Sequence, residues 1–155
     1  MPAFAVAADA GHAGVVSAQA GFFRIRFRAD PIELAFVRGG LNRWLLGLGW
    51  PAADRQDAVL AINEACDNSV QEAWLRDGCG EVEVVARLVI GPDDRRIVAV
   101  VRDHGPSATA GGVGGAWLAM VNACMDRVQV RSAEGATSVT MTSRPVPLRD
   151  GSVDV

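Results

Sequence analysis

The chain has 155 residues, enough for one domain with a sizeable core, and 50% of them are hydrophobic, which argues against a disordered chain. A net charge of −3 and a pI of about 5.3 argue against general nucleic-acid binding, which needs a basic surface. The cysteines, Cys66, Cys79 and Cys124, are odd in number and form no CxxC pair, which argues against a disulfide framework or a zinc site.

Residues 1–20 are rich in Ala and Gly and lack the basic start of a signal peptide, so they read as a flexible tail. No apolar run is long enough to cross a bilayer, and a cytoplasmic location is expected. "FFRIRFRA" (22–29) alternates apolar and arginine residues, as a half-buried edge strand does. "DPIELAFVRGGLNRWLLGLGW" then opens a helix. Asp30 is its N-cap, Pro31 its first residue, and Glu33 completes a capping-box pattern. Ile32, Phe36, Val37, Leu41, Trp44, Leu45 and Leu48 supply its apolar spacing. Gly39 and Gly40 weaken its middle by about 1 kcal/mol each relative to Ala, which points to close packing or a partner's approach. A second helix is expected from Asp54, with Val59, Ile62, Cys66, Val70 and Ala73 as its core stripe and Gly78 and Gly80 closing it. "EVEVVARLVI" and "RRIVAVVRD" form a hairpin across the turn "GPDD". A Gly-rich loop (104–115), a short helix (116–125) and a last hairpin around "AEGA" follow, and an unpacked tail closes the chain. Strands in hairpins with three helices predict a two-layer α/β sandwich, its sheet mixed and mostly antiparallel, helices on one face. The domain spans 21–145, between tails at 1–20 and 146–155.

Within the second helix, "NEACDNSVQEA" places Glu64 and Asn68 one turn apart on one face, opposite the apolar stripe, with Asn63 and Asp67 beside them. A carboxylate next to a carboxamide can orient a nucleophile and hold a hard cation, which prefers oxygen ligands and keeps several waters. Asp103 ends a strand, where a carboxylate can accept a hydrogen bond from an exocyclic amine such as adenine's. "GGVGG" (111–115) precedes a helix, where glycines let backbone N–H groups approach phosphates. Thr137 starts a strand just after Gly135. Alone, each pattern also fits a solvated helix face or a flexible loop. His104 reads as a loop histidine and His12 as part of the tail. Trp44, Trp50, Trp74 and Trp117 read as core or interface anchors.

In this order, "NEACDNSVQEA", "VRDHG", "GGVGGAWLAMVNACMD" and "VRSAEGATSVTM" resemble the N, G1 and G2 boxes and the closing Gly-x-Thr element of the GHKL ATPase superfamily. They look most like the small anti-sigma-factor serine/threonine kinases, the RsbW-like family, whose pattern runs "NEAxxNxxxHA", "VxDxG", "GxGLxLxxxLxD" and "VRSxxGGTxVxM". The resemblance covers about residues 22–144. It implies the Bergerat ATP-binding fold, with ATP and Mg2+ as cofactors. Glu64 would be the general base and Asn68 the magnesium ligand. Asp103 would take the adenine amine, Gly105 would let the base approach, and Gly112, Gly114 and Gly115 would line the phosphate lid. Thr137 would join the network around Asp103. The implied partners are a sigma factor, an anti-anti-sigma protein of the STAS type and a second copy of the chain, with no nucleic acid or membrane bound directly. The pattern departs at Ser107, at Ala116 and Trp117, and at Ala136, where the family carries glycine or leucine. Two readings therefore stay open: a kinase that sequesters a sigma factor, and a sequestering module with weak or no catalysis.

Overall fold

Phe23, Ile25 and Phe27 are fully buried, while the arginines between them are exposed. Such a strand has one apolar face, and a sheet of such strands needs one covering layer. The computed structural model describes residues 4–7, 15–76, 80–103, 115–133 and 135–148 and builds that two-layer α/β sandwich. Strands β1 (Phe4–Ala7), β2 (Val15–Gln19) and β3 (Phe22–Arg28) lead into a 3₁₀ turn (Pro31–Glu33) and helices α1 (Leu34–Gly47) and α2 (Ala52–Arg76). The hairpin β4 (Glu81–Ile90) and β5 (Asp94–Asp103) comes next. Helix α3 (Ala116–Cys124), the hairpin β6 (Arg127–Ala133) and β7 (Ala136–Thr142), and the short β8 (Val146–Pro147) complete the order. The sheet runs β1-β2-β3-β4-β5-β7-β6, with β8 also on β5. Every described pairing is antiparallel, so the sheet is more uniform than the mixed one expected.

The helices lie on the buried face, α1 on β3 and α2 across β4 and β5. Gly40 explains part of the close approach. A Cβ there would stand 3.4 Å from the Phe23 ring, whose centroid is 5.7 Å from that of Trp44. Asp30 caps the 3₁₀ turn rather than α1, its side chain accepting from the Ile32 amide at 3.0 Å. The N-cap of α1 is Glu33, which makes no side-chain capping bond, because the chain takes one 3₁₀ turn before the helix starts at Leu34. Ile32 itself is 65% exposed and not part of the helix stripe, because it sits in the 3₁₀ turn ahead of α1.

Four expectations need correction. Residues 4–7 and 15–19 are strands of the sheet rather than part of a flexible tail. In consequence β3 is internal, paired with β2 on one side and β4 on the other. Helix α2 begins at Ala52, two residues before Asp54, because the Pro51 carbonyl already accepts from the Arg55 amide at 2.8 Å. The segment after Arg144 is anchored at its start. Val146 is buried against the core and pairs with Arg95. Ser143 prepares that pairing: its hydroxyl accepts from the Ile97 amide at 2.8 Å and its own amide donates to the Ile97 carbonyl at 2.9 Å.

Arg95 is a buried cation with a structural task. Its guanidinium lies 4.9 Å from the centre of the Trp50 ring. It donates to the carbonyls of Leu48 at 2.5 Å, Gly49 at 3.2 Å and Pro147 at 3.4 Å. The first two are carbonyls just past α1, where a cation is favoured and an unmet acceptor is costly. Arg95→Met keeps an apolar contact with Trp50 but removes the donors. It should lower the free energy of unfolding by about 2–4 kcal/mol in urea titrations. An unchanged midpoint would show that these carbonyls find other donors.

Candidate functional site

Helix α2 divides its sides among three neighbours. Ala58, Ala61, Ile62, Ala65, Cys66, Val70 and Ala73 are buried in the core. Asn63 turns to α1, where its side-chain oxygen accepts from Arg38 at 3.1 Å. Asp67 accepts from Gln71 one turn along at 2.9 Å. The second carboxylate–amide pair seen in the sequence is thus occupied in holding the helix. Glu64 and Asn68 are half-buried and make no hydrogen bond or ion pair with the described residues. Two polar side chains that no described residue engages, on a partly buried helix face, fit a ligand-binding surface, where a few placed polar groups fix orientation.

Helix α3 packs against α2, and Arg144 ties the two together. It pairs with Asp57 at 3.1 Å and donates to the carbonyl of Ala123 in the last turn of α3. The Cys124 thiol feels this corner. Partial burial raises its pKa, Asp57 adds to that, Arg144 opposes it, and Glu64 adds a further increment. Cys66 is fully buried and pushed well above the ordinary thiol range by desolvation, consistent with a core role.

Asp103 is the last residue of β5 and only 2% exposed. Ile97, Ala99 and Val101 share its face, so its side chain lies on the helix side of the sheet. It stands across from Val82 on β4 and from Thr137 on β7. The Thr137 hydroxyl in turn lies 3.4 Å from that of Ser132. The end of α2 reaches the same edge of the sheet: Gly80, which leads into β4 at φ 140°, would carry a Cβ 3.8 Å from that of Ala73. Asp103 and Thr137 are therefore brought together in register, on the side where α2 lies.

Gly115 is the N-cap residue of α3, with extended backbone. A Cβ there would come within 2.9 Å of the Trp117 indole, so glycine lets that ring fold back over the start of the helix. Trp117 is partly buried against the core, which agrees with an anchoring role. Gly105, Gly112 and Gly114, with His104 and Ser107, lie outside the described residues. They fall in the segment that joins Asp103 to Gly115.

Arg38, Ser132 and Arg144 carry part of this arrangement without having stood out in the sequence. Arg38 meets Asn63 from 25 positions away and Arg144 meets Asp57 from 87, and no local pattern announces contacts of that range. Ser132 could have been found from the last hairpin, since closing "AEGA" as a turn sets it opposite Thr137.

The donor set suits magnesium. Glu64 and Asn68 offer oxygen atoms, and among the described residues no cluster of three or more His, Cys, Asp or Glu forms a full cage. A cation held by one amide oxygen completes its shell with water and phosphate, as magnesium commonly does.

A family profile described as "Histidine kinase-like ATPase domain" matches residues 27–143. A curated serine-protein kinase RsbW of Bacillus velezensis is 29% identical over 145 residues, covering 82% of this chain and 88% of its own. The serine-protein kinase RsbW of Bacillus subtilis is 28% identical over 141 residues, covering 79% and 85%. A crystal structure of the RsbU and RsbW domains of a Mycobacterium tuberculosis protein superposes with a TM-score of 0.62 at 27% identity. It covers 79% of this chain, which spans only 32% of that longer one.

Proposed function

We propose that this chain, which belongs to the histidine kinase-like ATPase domain family, is an ATP-dependent serine/threonine kinase acting on an anti-anti-sigma partner of the STAS type. It also holds a sigma factor away from RNA polymerase. The observation that carries this reading is the pair Glu64 and Asn68 on α2, one turn apart, half-buried and without a bond to any described residue. The RsbW-like character of the chain supports it.

Each residue has a defined task. Asp103 accepts from the adenine amine, with Thr137 beside it in register. The Asn68 amide oxygen holds magnesium, which when bound offsets charge on the phosphates. Glu64 receives the proton of the incoming hydroxyl as its oxygen bonds to the γ-phosphorus and the bond to ADP breaks. Gly115, at the N-cap of α3, offers its amide to the phosphates, the phosphate-lid role that the resemblance also implies for Gly112 and Gly114. A phosphate placed on the antagonist then weakens its hold by adding charge and bulk to the interface. A homodimer and a cytoplasmic location belong to the same reading. Among the described residues no helix is long and apolar enough to cross a membrane.

The test is calorimetry with ATP and ADP, with and without magnesium, followed by transfer of labelled γ-phosphate to a STAS-domain acceptor. Binding of both nucleotides, stronger with magnesium, is the expected result. The second reading rests on Trp117 and Ala136, which stand where the resembled pattern has leucine or glycine. It gains if no heat appears at millimolar nucleotide while a sigma factor is still bound.

A further inference from the structure

The face of the sheet turned away from the helices is basic although the whole chain is acidic, at −3. Its carboxylates are already matched: Glu83 by Arg24 at 2.7 Å, Glu81 by Arg26 at 2.9 Å and Asp126 by Arg96 at 2.7 Å. Asp94 lies at the far, turn end of β5. That leaves Arg28, Arg87, Arg102, Arg127 and Arg131 on this face without a carboxylate among the described residues. In its middle is a recess of about 270 Å³ lined by Glu83, Val85, Arg87, Val100 and Arg102. Val85 and Val100 are register partners and form its apolar floor. Arg102 stands one row to one side, opposite Glu83, and Arg87 one row to the other, opposite Val98.

We propose that this open face docks an acidic segment of a partner protein, an apolar side chain resting on Val85 and Val100 between carboxylates that pair with Arg87 and Arg102. The spacing fits an extended strand: the two arginine rows are four residues apart along β4, or about 13 Å, and so are residues i and i+4 of a partner strand. Charge complementarity selects this occupant. A second copy laid face to face would oppose arginine to arginine. Nucleic acid would lay its backbone on the two valines of the floor, which suit an apolar side chain and not a phosphodiester. The surface lies across the sheet from Glu64 and Asp103, so it serves a different contact from the proposed nucleotide cleft and stands or falls separately.

The experiment is an amide-shift titration of the full chain with a synthetic peptide carrying glutamate at i and i+4 and valine at i+2. Expected are shifts centred on Val85 and Val100, falling away as salt is raised. The double variant Arg87→Glu/Arg102→Glu should weaken the peptide at least tenfold while leaving nucleotide binding unchanged. Arg43→Glu, the same kind of charge reversal on exposed α1, should not weaken it. No shifts at millimolar peptide, shifts centred elsewhere, or equal weakening by Arg43→Glu would overturn the proposal. Tighter binding of a single-stranded oligonucleotide at the same residues would assign the face to nucleic acid instead. Loss of the peptide on self-association through these residues would assign it to a second copy.

Discussion

Glu64→Gln should reduce phosphotransfer to a seryl acceptor by roughly 10²–10⁴-fold and leave ATP affinity nearly unchanged. Glutamine keeps the length and polarity of the side chain, and Glu64 makes no bond with the described residues that the change would break. Folding should therefore be preserved. What is lost is a group that accepts a proton, and that loss is felt mainly in the transition state. Asn68→Ala should behave differently. Removing an oxygen ligand weakens the magnesium–nucleotide complex itself, so binding and turnover should fall together. The two variants are compared by nucleotide titration and by single-turnover transfer with a STAS-domain acceptor. Equal transfer by wild type and Glu64→Gln would remove Glu64 as the base. A shared loss of affinity in both would mean that the pair acts only in binding.

The division of labour on α2 was partly legible in the sequence, and the reason is geometric. A helix with apolar residues on one side and acids and amides on the other shows which residues can face a ligand. It does not show which of two adjacent polar pairs is consumed by the fold. Asn63 is taken by Arg38 and Asp67 by Gln71, while Glu64 and Asn68 bond to no described residue. Only the second of these lies within reach of helical spacing. Asp103 and Thr137 were readable as strand ends, and antiparallel pairing of β5 and β7 puts them opposite each other. That register depends on where the turn around Gly135 closes, and φ 79° there marks the position. The N-terminal strands were not readable. Ala- and Gly-rich composition carries little β propensity, and what fixes β2 is the hydrogen-bonding edge of β3, a property of the assembled sheet. The same holds for β8, where two residues gain a place because Ser143 hands the chain on to β5. Arginines on β3 looked like an edge device, yet they serve an internal strand whose outer face is exposed among the described residues. Charge on one face of a strand reports exposure of that face and says nothing about the strand's edges.

Asp103→Asn should weaken ATP and ADP alike by roughly 10–150-fold, the loss of one charge-assisted hydrogen bond at about 1.5–3 kcal/mol. The carboxylate is 2% exposed at the end of β5, so solvent does little to screen it. Asparagine is close to it in size, which protects the pairing with Val82 and Thr137. The base offered to the site gives the sharper readout. A carboxylate accepts from adenine's amine but repels the carbonyl oxygen that guanine carries at that place, so wild type should prefer ATP to GTP. The asparagine amide can both accept and donate, so the variant should lose most of that preference, with ATP falling more than GTP. Competition titrations of the two nucleotides against wild type and variant measure this directly, with a thermal melt as the check on folding. If the variant folds and keeps both its ATP affinity and its ATP-over-GTP ratio, the adenine amine is bound elsewhere, and the role of Asp103 is to join β5 to the strands beside it.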